Sequence, residues 1–221
     1  MITFDEIMNF DPKNEVVFEE LFDLCINKKI VPYIGAGLSA FRFPIWDKYI
    51  NEKKSCLGDK AKGMNNIDAT EAIEKKLGKD VFYKHIQTTY GGDLDDIEWE
   101  CIIKKAEDKD NGEAVSVIPK LFFGPIITTN FDRILEQIHR NISDFDVALP
   151  NNLNEKITQN KQKRLLYKIH GCVSDKNIVF TKRAYNSAYK RDSKLVQSLI
   201  TLFQGFHFFP RHVCLIYLRW H

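Results

Sequence analysis

The chain has 221 residues, 44% of them hydrophobic, enough to build the packed core of one domain of ordinary size. Lysine and arginine total 32 against 30 acids, and a net charge of +2 gives no global argument for direct nucleic-acid binding. No stretch approaches the ~20 apolar residues that span a bilayer, and Met1 to Phe10 carries acids rather than a basic-then-apolar leader. A cytoplasmic protein that does not engage membranes is expected.

The first elements are helical. Phe4 to Lys28 reads as a helix in two pieces broken near Pro12, with Val17, Leu21, Leu24 and Cys25 at helical spacing in the second. Lys29 to Ile34 is short, β-branched and ends at glycine, which predicts a strand. Pro32 cannot donate to a central ladder and is expected just before the pairing begins. Pro44 to Cys56 reads as a helix with Trp46, Tyr49 and Ile50 on one face. Leu57 to Asn66 is loop-like, Ala69 to Tyr90 is helical with a break near Gly78, and Gly91-Gly92 is a turn. Helices are expected again over Asp95 to Asp108 and Glu113 to Phe123.

The second half alternates. Pro125 to Thr129 is a compact apolar strand and Phe131 to Arg140 a helix. Phe145 to Leu149, Leu165 to Ile169 and Ile178 to Thr181 read as strands, with a polar loop over Asn151 to Lys163. Helices follow at Lys182 to Lys190 and Ser193 to Phe203, and Val213 to Leu218 is a possible last strand. This order predicts an α/β fold: a Rossmann-like parallel sheet flanked by helices, with a helical insertion at about 44–121 between the first and second strands. One domain over 1–221 is expected.

Three strand ends carry chemistry. Gly35-Ala36-Gly37-Leu38-Ser39 follows the first strand, where glycines let backbone amides approach a phosphate and Ser39 adds a hydroxyl. Alone it is a weak signal, equally a tight turn. A dehydrogenase would need a second strand ending in an acid about 20 residues on, whereas Asp59 sits in a glycine-containing loop after a helix. Thr129-Asn130-Phe131-Asp132 ends the next strand, where Asn and Asp serve either as helix caps or as an amide and carboxylate at the sheet's binding edge. His170-Gly171 ends a third. A lone histidine is more often structural, yet one that titrates near neutrality can take a proton from a hydroxyl. Trp46 either packs its helix or walls a pocket, and packing is the expectation.

In that order, the three motifs resemble the signatures of sirtuins (silent-information-regulator-type proteins) and of their bacterial relatives. Ile178-Val179-Phe180-Thr181-Lys182-x-x-Tyr185 and Phe43-Pro44-Ile45-Trp46 are similar to segments of the bacterial group, and the resemblance covers Ile30 to Tyr189. It implies a Rossmann-like fold that takes NAD as substrate and breaks the nicotinamide–ribose bond. Carried over, Gly35, Ala36, Gly37 and Ser39 line the phosphates. Asn130, beside Thr129, holds the nicotinamide ribose or orders the attacking water. Asp132 binds the carboxamide, and His170 is the general base toward a ribose hydroxyl.

Two departures refine this. Cys25, Cys56, Cys101, Cys172 and Cys214 are isolated, with no Cys-x-x-Cys pair. The four-cysteine zinc module of the protein deacylases is therefore not expected, nor is any other metal site. The zinc-free relatives include the NAD-hydrolysing sirtuin-like domains of bacterial anti-phage proteins, so NAD hydrolysis in antiviral defence is the expected activity. Second, Phe206 to His221 lacks the Gly-x-Ser turn that the family places at the adenosine end, and a truncated C-terminal part is the expectation. The resemblance also implies a homo-oligomer or a defence-system partner protein. A non-catalytic NAD or ADP-ribose sensor or regulatory subunit is the alternative, and protein deacylase a third reading.

Overall fold

The computed structural model describes residues 4–27, 30–95, 97–101, 114–122, 124–140, 145–159, 164–175, 177–205 and 217–218. Its centre is an all-parallel sheet of β1 (Tyr33–Ile34), β2 (Ile126–Thr128), β3 (Phe145–Ala148), β4 (Arg164–Lys168) and β5 (Tyr217–Leu218), in the order β3-β4-β2-β1-β5. Successive side chains of a strand point to opposite faces. Ile34, Ile126 and Leu166 accordingly join one apolar cluster, while Ile127, Leu165 and Tyr167 join the other. The fold is α/β and Rossmann-like.

The first face is covered largely by the helices between β1 and β2. These are α3 (Trp46–Lys53), α4 (Asn66–Leu77), α5 (Lys79–Tyr90) and α6 (Ala114–Leu121), preceded in the chain by α1 (Phe4–Phe10) and α2 (Lys13–Ile26). Tyr49, Ile50, Ile73, Phe82 and Ile86 are buried there; each such side chain contributes about 1.5–3 kcal/mol by leaving water. Asn65 caps α4, its side chain accepting from Asp68 N, and Gly78 with φ +83° separates α4 from α5 at the expected break. The other face packs on α8 (Leu153–Gln159) and α10 (Lys194–Gly205) through Leu153, Leu195 and Leu202. Two further α-helices are α7 (Ile134–Ile138) and α9 (Lys182–Ala188).

Several expectations change. Asn151 to Lys163 is not a loop throughout, since Leu153–Gln159 is helical. Leu153 and Ile157, four residues apart, form a narrow apolar stripe on an otherwise polar helix, enough to dock on the second cluster. Ile178 to Thr181 is not a strand. Ile178 and Phe180 are apolar because they fill the first cluster, not because they pair in the sheet. The first strand shortens to Tyr33–Ile34, with Pro32 just before it offering its carbonyl to Ile127 N at 2.9 Å. The helix expected from Phe131 starts at Ile134. Residues 97–101 are helical, Asp95 is described but is not helical, and positions 96 and 102–108 of that expectation lie outside the described residues. Of Val213 to Leu218, only Tyr217 and Leu218 are described, paired in parallel with β1. Among the described residues no helix is long and apolar enough to cross a membrane.

Candidate functional site

Parallel pairing of β1, β2 and β4 puts their carboxyl ends side by side, since Ile34 pairs with Thr128 and Thr128 with Lys168. Adjacent strands lie about 4.8 Å apart. Three motifs separated by scores of residues in the chain therefore meet at one edge, outside the carboxyl ends where open α/β sheets bind ligands. Thr128 ties two of them together. Its hydroxyl donates to Ile34 O at 2.8 Å and accepts from Asn130 N at 2.9 Å.

The glycine loop turns at once into a short 3-10 helix, Ala36–Ser39, with Leu38 N donating to Gly35 O at 3.1 Å. Gly35 has φ −109° and ψ 179°, ordinary extended backbone. A Cβ built on it meets nothing within 4 Å. Nothing in the protein demands glycine there; the space beside it is open to a ligand. Asn130 Nδ2 donates to Ser39 Oγ at 3.1 Å, which couples the second motif to the first. Asn130 is only 4% exposed, and its Oδ1 is buried with no partner among the described residues. An orphaned buried acceptor is costly unless a ligand completes it. These two features fit a polar ligand with hydroxyl or amide donors, as NAD is.

Asp132 does the structural job that its position allowed. Its Oδ1 accepts at 3.0 Å from the N–H of Ile134, the first residue of α7, ahead of the N-cap Arg133. Burial holds its pKa above the ordinary carboxylate range, opposed by Lys168, the Ile134 N–H and Ser39. Beneath it Lys168, 1% exposed, donates from Nζ to the Asp132 carbonyl and to Glu136 Oε1, the latter at 2.6 Å. Phe131 between them is pinned by Val173 N donating to its carbonyl at 2.6 Å.

His170 closes the arrangement from β4. Gly171 makes the turn: its φ is +84°, and a Cβ there would come 2.7 Å from Asn177 O. His170 Nε2 lies 2.8 Å from the Tyr189 hydroxyl, with the rings edge-on. Burial lowers its pKa to about 4, so the imidazole is neutral at pH 7. An unfolded histidine takes up its proton near 6.5, and the folded one does so only near 4. Between those values the unfolded state binds more protons, so stability falls as the pH drops from about 6.5 toward 4. His139, buried on α7's far end, is shifted the same way by burial. The melting temperature is expected to fall measurably between pH 7 and pH 5. A flat Tm over that interval would contradict the burial of both rings.

A cavity of about 560 Å³ opens at this edge. Ala36, Thr129, Phe131 and His170 line it from the three motifs, and Trp46, Ile67, Phe180, Tyr185 and Lys182 complete it. Ser39, Asn130 and Asp132 are buried and are not on its lining; Gly35 and Gly37 belong to the same loop as Ala36. Trp46 both packs, edge-on to Phe180 at 6.5 Å, and walls the cavity. Sequence reasoning missed Thr128, Lys168, Phe180 and Tyr189 as parts of the site. Only Tyr189 left a signal, four residues after Tyr185 and hence on the same side of α9.

Residues 125–209, which hold the second and third motifs, match the model of the SIR2-like domain. Over this stretch the chain is similar to a SIR2-like domain. Such a domain implies the use of NAD, and the glycine loop that precedes the matched segment pairs with it through β1 and β2. No curated protein sequence matches the chain. Around this site, and elsewhere among the described residues, no three His, Cys, Asp or Glu side chains are grouped to hold a metal ion.

Proposed function

We propose that the chain is an NAD hydrolase that cleaves the nicotinamide–ribose bond to give nicotinamide and ADP-ribose, in anti-phage defence by depletion of NAD. One observation carries the reading. A neutral histidine, His170, lies on the wall of an aromatic-lined cavity that Ala36 of the glycine loop and Thr129 and Phe131 of the second motif also line. The chemistry asks little more. Nicotinamide leaves with the electrons of the glycosidic bond, its ring charge is neutralised, and water adds to the ribose carbon. The protein need orient, exclude bulk water and accept a proton from a hydroxyl. In this reading Gly35, Ala36, Gly37 and Ser39 face the phosphates, and Asn130 Oδ1 accepts from the ribose or the attacking water. Thr129 and Asp132 hold the nicotinamide end, and His170 takes the proton.

Incubation of the protein, alone and with any partner that assembles with it, is expected to release nicotinamide from NAD. Gly35→Val tests the phosphate assignment. Valine tolerates extended backbone and its Cβ enters open space, so the Tm should stay within about 2 °C, while NAD and ADP-ribose lose their stabilising effect. Undiminished ligand-induced stabilisation would remove the loop from the site. The low basicity of His170 favours a second reading, an NAD or ADP-ribose sensor without turnover; there both ligands raise the Tm and no nicotinamide forms.

A further inference from the structure

A neutral imidazole has one N–H and one lone pair, and it can act as a base only at the lone pair. Which nitrogen carries the lone pair is decided by the partner of the other. In His170 the Nε2 partner is the Tyr189 hydroxyl at 2.8 Å, a group able either to donate or to accept. If Tyr189 donated, the ring proton would sit on Nδ1 and no lone pair would remain for a cavity ligand. If Tyr189 accepts, Nδ1 is free to take a proton. Among the described residues Nδ1 has no hydrogen-bond partner, and Tyr189 is not part of the cavity lining, whereas His170 is.

We propose that Tyr189 is a positioning residue for His170: its hydroxyl oxygen accepts the Nε2–H and so leaves the Nδ1 lone pair to a hydroxyl bound in the cavity. This rests on the reading of His170 as proton acceptor. In the step, the ligand O–H breaks, Nδ1–H forms, and the electron pair stays on the ligand oxygen. The resulting imidazolium keeps its Nε2–H on Tyr189, and its extra proton leaves to water with the product.

The hydroxyl is placed by elements other than β4. Tyr189 follows α9 directly, its N–H donating to Tyr185 O at 3.0 Å, and the two rings lie 4.5 Å apart. Thr181 caps the start of α9, its hydroxyl accepting from Ala184 N at 3.3 Å. Arg183 grips Glu74 of α4 at 3.1 and 3.2 Å, and Lys182 grips Asp68 at 2.9 Å. The tyrosine thus reaches the histidine on a helix clamped to the insertion. Burial of Tyr189, helped by Tyr33 and Tyr185, raises its pKa, so it stays a phenol with an oxygen free to accept.

The test is 15N NMR of the histidine-labelled full chain, with the His170 signal assigned by its loss in His170→Ala. The wild type should show His170 as the Nε2–H tautomer, and Tyr189→Phe should shift it toward a tautomer mixture. In the same variant kcat for nicotinamide release should fall roughly tenfold with KM within about twofold, as for loss of a group that orients a reacting side chain. In the His170→Ala background, Tyr189→Phe should have no further effect. An Nδ1–H wild type, or an unchanged tautomer and kcat in Tyr189→Phe, overturns the proposal. A wild type that releases no nicotinamide sinks the hydrolase reading instead, and the tautomer still decides the role of Tyr189.

Discussion

Replacement of His170 by alanine is expected to lower nicotinamide release by about 100-fold to 10,000-fold, the span that a positioned acid or base contributes. The loss should fall on kcat, with NAD still raising the Tm, because the Gly35 loop and the Asn130 turn stand on other strands. The pH profile supports the same test. Burial lowers the pKa of His170 to about 4, so the ring is already in its base form through the neutral range. Activity should therefore rise as the pH is raised through about 4 and show no histidine limb near 6.5. A His170→Ala enzyme within about threefold of wild type, against that 100-fold minimum, would remove His170 from the chemistry.

The second large effect is on stability. Lys168→Met removes a cation that is 1% exposed and that satisfies both Glu136 Oε1 and the Asp132 carbonyl. Methionine fills much of the same space, so the loss is electrostatic rather than a cavity. Glu136 is left facing a protein interior with only the Cys172 thiol, 3.6 Å away, on that oxygen. Breaking a buried pair from one side costs about 3–5 kcal/mol, which for a chain of this size is on the order of 10 °C in Tm. Lys168→Met with Glu136→Gln should recover part of that, since the stranded charge is then gone. Calorimetry on the single and double variants decides it; a single variant that melts with the wild type would mean the network is solvated and does not brace the Asn130 to Asp132 turn.

Much of the site was legible because its residues sit at strand ends marked by abrupt changes in composition. The run Ile126-Ile127-Thr128-Thr129-Asn130 passes from apolar to polar within two residues, and Leu165 to His170 does the same. The structure brings the three ends to adjacent strands. Local reading failed where the partner was distant. Ile178 to Thr181 has the composition of a strand, but its Phe180 ring packs on Phe82 and Phe131, and its Ile178 carbonyl accepts from the Tyr83 hydroxyl, all on other elements. Leu153–Gln159 has the composition of a loop, but two apolar residues on one side meet a core that the rest of the chain supplies. Lys168 reads as a polar interruption in a strand; only its enclosure by Asp132 and Glu136, more than thirty residues earlier in sequence, explains a buried lysine there.

By itself the sequence determined the α/β alternation, the three polar strand ends and their order. These depend on periodicity and on residue type within a few positions, and such local preferences need no partner to be expressed. The tertiary structure alone decided that β2 lies between β1 and β4, and thus that Ser39, Asn130 and His170 share one edge. It alone supplied Tyr189 to His170, lowered that histidine's pKa by burial, and left Asn130 Oδ1 without a partner among the described residues. Strand order, desolvation and hydrogen bonds between remote residues arise only when the chain closes on itself.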